Sequence, residues 1–290
     1  MFIAYTPSGR IDLIEIIGEI GINHNGDLEI AKKLITIAAA AGMDYVKLQK
    51  RTIDAVYSKE ELDKPRDSPW GTTTREQKEG LEFNFSDYTE INTHCNALSI
   101  PWFASPWDIE SIHFLNYFKM PFLKIPSALI TDVKFLEVCK ATPFPFILST
   151  GMSTEDMIAG AVDVLGIDRI YCIMHCTSTY PSKEKEQNIE YINVLKDRYP
   201  KVKIGFSNHS PGLLSMIAAM ANGAEMIEMH ITLDRSMYGS DQPASIEPSG
   251  IFKFCKYARD IENIMGDGVK QIYPSEVPII KKLRANVGNR

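Results

Sequence analysis

A chain of 290 residues with 44% hydrophobic residues can bury one large core or two smaller ones, and α/β barrels commonly reach this length as one unit. Its net charge of −6 excludes the basic face of a general nucleic-acid binder, although a few lysines can still focus an anion locally. Five cysteines without a C-x-x-C pair, and an N-terminus unlike a signal peptide, predict a cytoplasmic protein with reduced thiols and no membrane or nucleic-acid partner.

Short apolar runs alternate with helix-length amphipathic segments along the chain. The first strand is predicted at "LIEIIGEI" (13–20), and the helix after it spans 27–41 and closes on Gly42. "YVKLQK" (45–50) follows, then a long polar insertion over 52–85 that reads as a functional or mobile loop, and a helix over 86–99. Strands "PWFAS" (101–105), "PFLKIPS" (121–127) and "PFILSTG" (145–151) are each followed by a helix, at 108–119, 132–140 and 153–165. "IYCIMHC" (170–176), "VKIGFS" (202–207) and "EMIEMHI" (225–231) precede helices over 188–199, 210–222 and 249–265. Eight such units predict a (β/α)8 TIM barrel over 1–265, with 266–290 as a C-terminal tail or linker stub. A doubly wound open sheet is the competitor, and no G-x-G-x-x-G follows the first strand to support it.

Barrels of this kind place their chemistry at the carboxyl ends of the strands. Glu19, Asn23, His24 and Asn25 stand at the end of the first strand, and Lys47 and Gln49 on the second. Ser105 and Asp108, Lys124 and Ser127, and Ser149 and Thr150 close the next three. His175, Thr177, Ser178 and Tyr180 end the sixth, Ser207 and His209 the seventh, and Glu228 and His230 the eighth. A purely structural barrel needs no such ring.

Lysines inside apolar strands are costly unless paired, so Lys47 and Lys124 should face an anion such as phosphate or carboxylate, flanked by Ser105, Ser127, Ser149 and Ser207. The plainer alternative is that they snorkel or pair with Glu19 or Glu228. His209 and His230 stand on consecutive strands and can share one divalent ion, with Glu228 on the same strand face as His230. His175 with Cys176 is a weaker metal pair. Asp241, in "SMYGSDQPASIEP", either binds hydroxyls or makes an Asx turn. His94 and His113 fall on helices as structural or solvated residues, and Cys95, Cys139 and Cys255 read as core thiols.

These residues occur in motifs through which the chain resembles the N-acetylneuraminate (sialic acid) synthase family over about residues 14–285. The motifs are "GEIGINHNGD", "VKLQK", "FASPWD", "KIPS", "LSTGMS", "HCTSTYP", "IGFSNHS" and "EMHITLDRSMYGSDQPASIEP", in the family's order. The resemblance implies a barrel enzyme that condenses phosphoenolpyruvate with N-acetylmannosamine or a related 2-acetamido sugar, releasing phosphate. It implies a divalent metal, Mn2+ or Mg2+, on His209 and His230, acting as a Lewis acid toward the sugar aldehyde. It further implies phosphoenolpyruvate binding by Lys47, Ser105, Lys124, Ser127, Ser149 and Ser207, and sugar binding by Asn23, Gln49, Tyr180 and Asp241. Glu19 is assigned water positioning or proton transfer, with Glu228 as a further catalytic acid.

Three departures accompany the resemblance. Leu129 stands where the family has a glutamate two residues after the "KIxS" serine, so Glu19 or Glu228 must cover its role. Gln242 stands where some members have a histidine. Family members continue into an antifreeze-like domain that caps the partner's site in a domain-swapped dimer, so either a truncation or a barrel without a cap is expected, with a homodimer as one possible state. The competing functions are a degenerate barrel that binds phosphoenolpyruvate or phosphosugar without turnover, and a metal-dependent pyruvate aldolase.

Overall fold

The computed structural model describes residues 14–285, so the predicted strand start at Leu13 lies outside the described residues. Eight parallel strands close a barrel in sequence order: β1 (Glu15–Gly21), β2 (Tyr45–Lys50), β3 (Trp102–Pro106), β4 (Leu123–Ile125), β5 (Phe146–Ser149), β6 (Ile170–Cys176), β7 (Lys203–Asn208) and β8 (Met226–His230). β8 returns to β1 in the register Glu19↔His230. Only β4 is much shorter than its apolar run, because Pro126 has no N–H to continue the ladder and a 3-10 turn follows over Ser127–Leu129.

The strands read as continuous apolar runs because both faces are covered. One set of alternate residues, Ile17, Phe103, Ile147, Met174 and Met226, fills the barrel below the polar ring, and all five are fully buried. The other set meets the outer helices: α1 (Leu28–Ala41), α2 (Phe85–Ala97), α3 (Ile109–Leu115), α4 (Val133–Lys140), α5 (Glu155–Leu165), α6 (Tyr191–Arg198), α7 (Leu214–Ala221) and α8 (Pro248–Met265). In α1 the buried stripe is Ala31, Leu34, Ile35 and Ala38, the spacing of one helix face. Asp27 caps it, its carboxylate accepting from the N–H groups of Glu29 at 2.7 Å and Ile30 at 3.1 Å, and Gly42 ends it at φ 83°.

Residues 52–85 form more than the expected loop. They fold into two short helices (Ile53–Val56, Lys59–Leu62), a hairpin (Pro65–Ser68 with Gly71–Thr73) and a helix over Thr74–Leu81. Ser58 and a Thr73–Glu76 capping box supply the local order, and Leu62, Gln77 and Leu81 are buried beneath it. The β1–α1 loop closes against this unit so tightly that a Cβ on Gly26, at φ 65°, would overlap the Gly80 carbonyl oxygen. Trp70 lies over Gly80 and meets Tyr238 of the β8–α8 loop edge-on at 5.6 Å. The insertion thereby walls one side of the barrel mouth. After α8 the chain runs through a 3-10 turn at Pro274–Glu276 into an exposed helix over Val277–Leu283. No helix among the described residues is long and apolar enough to cross a membrane.

Candidate active site at the strand carboxyl ends

Barrel closure brings the charged residues of four strands to the centre of the mouth. Lys47 Nζ lies 3.1 Å from Glu19 Oε1 and 3.7 Å from Glu228 Oε1, and it donates to Ser105 Oγ at 3.2 Å. Lys124 Nζ donates to Glu228 Oε2 at 2.7 Å and contacts Met174 Sδ at 3.2 Å. The two ammonium groups are therefore matched by two carboxylates, as the plainer alternative anticipated. Burial alone would push Lys47 down, but Glu19 and Glu228 outweigh it and hold its pKa up. Lys124 is held below its ordinary value, by burial first and by the nearby Lys47, which its one carboxylate, Glu228, does not offset. Burial works to raise the Glu228 pKa, yet the two lysines outweigh it and keep the acid ionised.

The serines frame this centre. Ser207 donates to Glu228 Oε1 at 2.9 Å, and Ser127 accepts from the Gly151 N–H at 3.0 Å while facing Cys176 Sγ at 3.3 Å. A Cβ on Gly151 would stand 3.0 Å from both Ser127 Oγ and Cys176 Sγ, so glycine leaves a polar crevice that a side chain would fill. Ser149 is buried at the end of β5 beside Met174 in the ladder.

His209 donates from Nδ1 to the Thr177 carbonyl at 2.7 Å, which leaves its Nε2 lone pair to accept from the Tyr180 hydroxyl at 2.7 Å. Burial, with His230 adjacent, lowers its pKa to about 3, so the ring is a neutral donor ligand near pH 7. The His230 ring is 5.6 Å from it, centroid to centroid. His230 Nδ1 is buried with no hydrogen-bond partner, 3.6 Å from Asp241 Oδ2, and Glu19 Oε2 is also buried without one. The neutral His209 ring, the unpartnered His230 Nδ1 and the unpartnered Glu19 Oε2 fit a divalent cation with open positions. Among the described residues no group of three His, Cys, Asp or Glu side chains is arranged as a ready metal cage.

The remaining sequence candidates divide. Gln49 donates to Glu19 Oε1 at 2.6 Å and in turn accepts from the Arg51 guanidinium. Asn23 uses its Nδ2 to hold the Ile231 carbonyl at 2.9 Å and Ser245 Oγ at 2.8 Å, while its Oδ1 is buried and unpartnered. Gln242 is fully buried, hydrogen-bonded to the Thr232 hydroxyl and to the Asn23 carbonyl, so it shapes the β8–α8 loop and leaves ligand contact to others. Leu129 packs on the core, which leaves Glu19 and Glu228 as the acids of the centre.

His175 and Cys176 do not form a metal pair. Adjacent strand residues face opposite ways, so His175 turns outward to the Gln187 carbonyl at 2.6 Å and to Tyr191, whereas Cys176 faces Ser127. Asp108 caps α3 through the Ser111 N–H at 2.8 Å and also accepts from Thr52 N at 2.7 Å. Asn208 accepts from Ser210 N, Ser210 Oγ and Ser215 Oγ, folding the turn that presents His209. His94 bonds Thr36 and the Lys32 carbonyl, and Cys95, Cys139 and Cys255 are buried with raised thiol pKa values. Sequence reasoning placed His24 at the end of the first strand without a role and passed over Arg51 and Lys78. His24 stacks on Phe83 at 4.1 Å, and burial, then Arg51, lowers its pKa to about 3. Arg51 and Lys78 carry no local signal, because only folding brings Arg51 to Gln49 and Lys78 over the Tyr57 ring.

A closed parallel barrel with paired charges, serines and imidazoles gathered at its carboxyl rim defines a (β/α)8 enzyme. Comparison with known proteins specifies which kind: the NeuB family model matches residues 34–270, and the chain belongs to that family. It is 33% identical over 275 residues to the N-acetylneuraminate-9-phosphate synthase of Mus musculus, covering 94% of this chain and 77% of that protein. It is 36% identical over 283 residues to the N,N'-diacetyllegionaminic acid synthase of Campylobacter jejuni, covering 94% and 83%. The crystal structure of N-acetylneuraminic acid synthetase from Leptospira borgpetersenii in complex with citrate superposes with a TM-score of 0.81 at 28% identity, covering 97% of this chain and 94% of that one.

Proposed function

We propose that this chain is a nonulosonic acid synthase, condensing phosphoenolpyruvate with an open-chain 2-acetamido sugar to give a nine-carbon 2-keto acid and inorganic phosphate. The observation that carries this reading is the buried Lys47–Lys124–Glu228 centre inside a ring of serines, in a barrel of the NeuB family. Lys47 and Lys124 are neutralised by Glu19 and Glu228, so the centre has little net charge of its own. His209 and His230 would hold a divalent ion, Mn2+ or Mg2+, which would supply positive charge toward anionic phosphoenolpyruvate and Lewis acidity toward the aldehyde.

Lys47, Lys124, Ser105, Ser127, Ser149 and Ser207 hold the carboxylate and phosphate of phosphoenolpyruvate in this assignment. C3 of the enol forms the new bond to the aldehyde carbon, whose oxygen takes up a proton. Water adds at C2, and phosphate then leaves with its bridging oxygen as the C2–O bond breaks. Glu19, with one oxygen unpartnered and the other shared by Lys47 and Gln49, positions the water or moves its proton, and Glu228 fixes both lysines. Asn23, Gln49, Tyr180 and Asp241 line the sugar's side of the mouth. The relatives named above include both a phosphorylated and an unphosphorylated product, so likeness alone leaves that choice open.

The test is phosphate release from phosphoenolpyruvate with a panel of 2-acetamido sugars and Mn2+. A folded, metal-loaded sample that turns over none of them refutes the proposal.

A further inference from the structure

The insertion and the end of β2 bring three cations together on the sugar's side of the mouth, Arg66 and Lys78 from the insertion and Arg51 from just before it. Lys78, on the helix over Thr74–Leu81, is half-buried with its ammonium 5.0 Å from the centre of the Tyr57 ring. Arg51 and Arg66 lie close enough that, after burial, their charges are what depress its pKa. The carboxylates nearby are already engaged. Glu61 pairs with Lys64, Glu82 pairs with Lys50 at 2.9 Å and Arg51 at 3.8 Å, and Asp241 accepts from the Ser240 hydroxyl at 2.8 Å. Neither Lys78 nor Arg66 has an ion-pair partner among the described residues, and Arg51 Nε is buried with no acceptor. Arg51 and Lys78 are half-buried beside the exposed Arg66, and like charges with an unsatisfied N–H favour an anion.

The place of this cluster matters as much as its charge. Asp241 feels Lys78 on one side and stands 3.6 Å from His230 on the other. Arg51 reaches the centre in a single step, donating to Gln49, which donates to Glu19. A sugar with its aldehyde at the imidazoles and its hydroxyls along Asp241 and Gln49 therefore points its far end at the cations. Building on the condensation proposed above, we infer that the acceptor is a phosphorylated 2-acetamido sugar, its terminal phosphomonoester held by Lys78, Arg66 and Arg51.

The experiment compares N-acetylmannosamine with its 6-phosphate as acceptors for the Mn2+-loaded full chain, following the 2-keto acid by mass spectrometry. The expected result is a kcat/KM at least about 100-fold higher for the phosphorylated sugar, from two or more charge-assisted contacts. Lys78→Gln and Arg66→Gln should each cut that preference about 10-fold or more, through KM, and Lys78→Arg should restore most of it. Equal use of both sugars, turnover of the plain sugar alone, or a preference untouched by these substitutions overturns the inference while the condensation stands. Turnover of neither sugar overturns both.

Discussion

Glu228→Gln removes one charge and almost no volume from the centre of the barrel. In the native protein Glu228 accepts from Lys124 at 2.7 Å and Ser207 at 2.9 Å and lies 3.7 Å from Lys47, with 3% of its surface exposed. The variant retains two buried ammonium groups with Glu19 as their only carboxylate. Removing one partner of a buried pair costs about 3–5 kcal/mol. Lys124 is already held below the ordinary lysine value of 10.5 by burial and Lys47, and losing Glu228 lowers it further. A folded pKa below the unfolded one means the unfolded chain binds more protons, so stability rises with pH across the interval between them. Urea denaturation of both proteins should show a deficit of about 3–5 kcal/mol at pH 7 that narrows as pH climbs toward 10. A deficit below about 1 kcal/mol, or one independent of pH, would falsify the charge-pairing argument.

Chelation should stop phosphate release, and added Mn2+ should restore it in the native enzyme but not in His209→Ala, whose circular dichroism should stay native; an active His209→Ala rules out the metal assignment. His24 and His209, both near 3 in the fold, favour folding while neutral, and that contribution is lost as pH falls below 6.5 toward 3. Stability should drop by about 2 kcal/mol per histidine between pH 7 and pH 5, and His24→Gln should remove about half of the slope in urea titrations. A flat profile contradicts the burial of these rings as neutral groups. Gly26→Ala forces a Cβ into the Gly80 carbonyl at a left-handed φ and should cost about 2 kcal/mol or more in thermal unfolding while raising the KM of the sugar. An unchanged KM would detach the insertion from the sugar side of the mouth.

Much of this molecule was readable before folding. Apolar runs and helix-period segments are local patterns, so the eight β/α units, the barrel and the polar ends of its strands follow from spacing alone. His209 and His230 could be placed side by side because consecutive strands of a parallel barrel are neighbours. The pairing of charges was not readable in the same way. Lys124 meets Glu228 across 104 residues, and only closure of β8 onto β1 brings Glu19 and Glu228 to one lysine. The insertion read as a polar loop because its order comes from caps and from close contact with Gly26 and Tyr238, far away in the chain. The sequence by itself determined the scaffold and the rim on which the chemistry sits, since hydrophobic period and strand order are properties of the chain. Tertiary structure alone decided which lysine is raised and which lowered, that Gln242 is a loop residue, and that the charges of Arg51 and Arg66 act on Lys78. Electrostatics depends on distance and burial, and neither exists until the barrel closes.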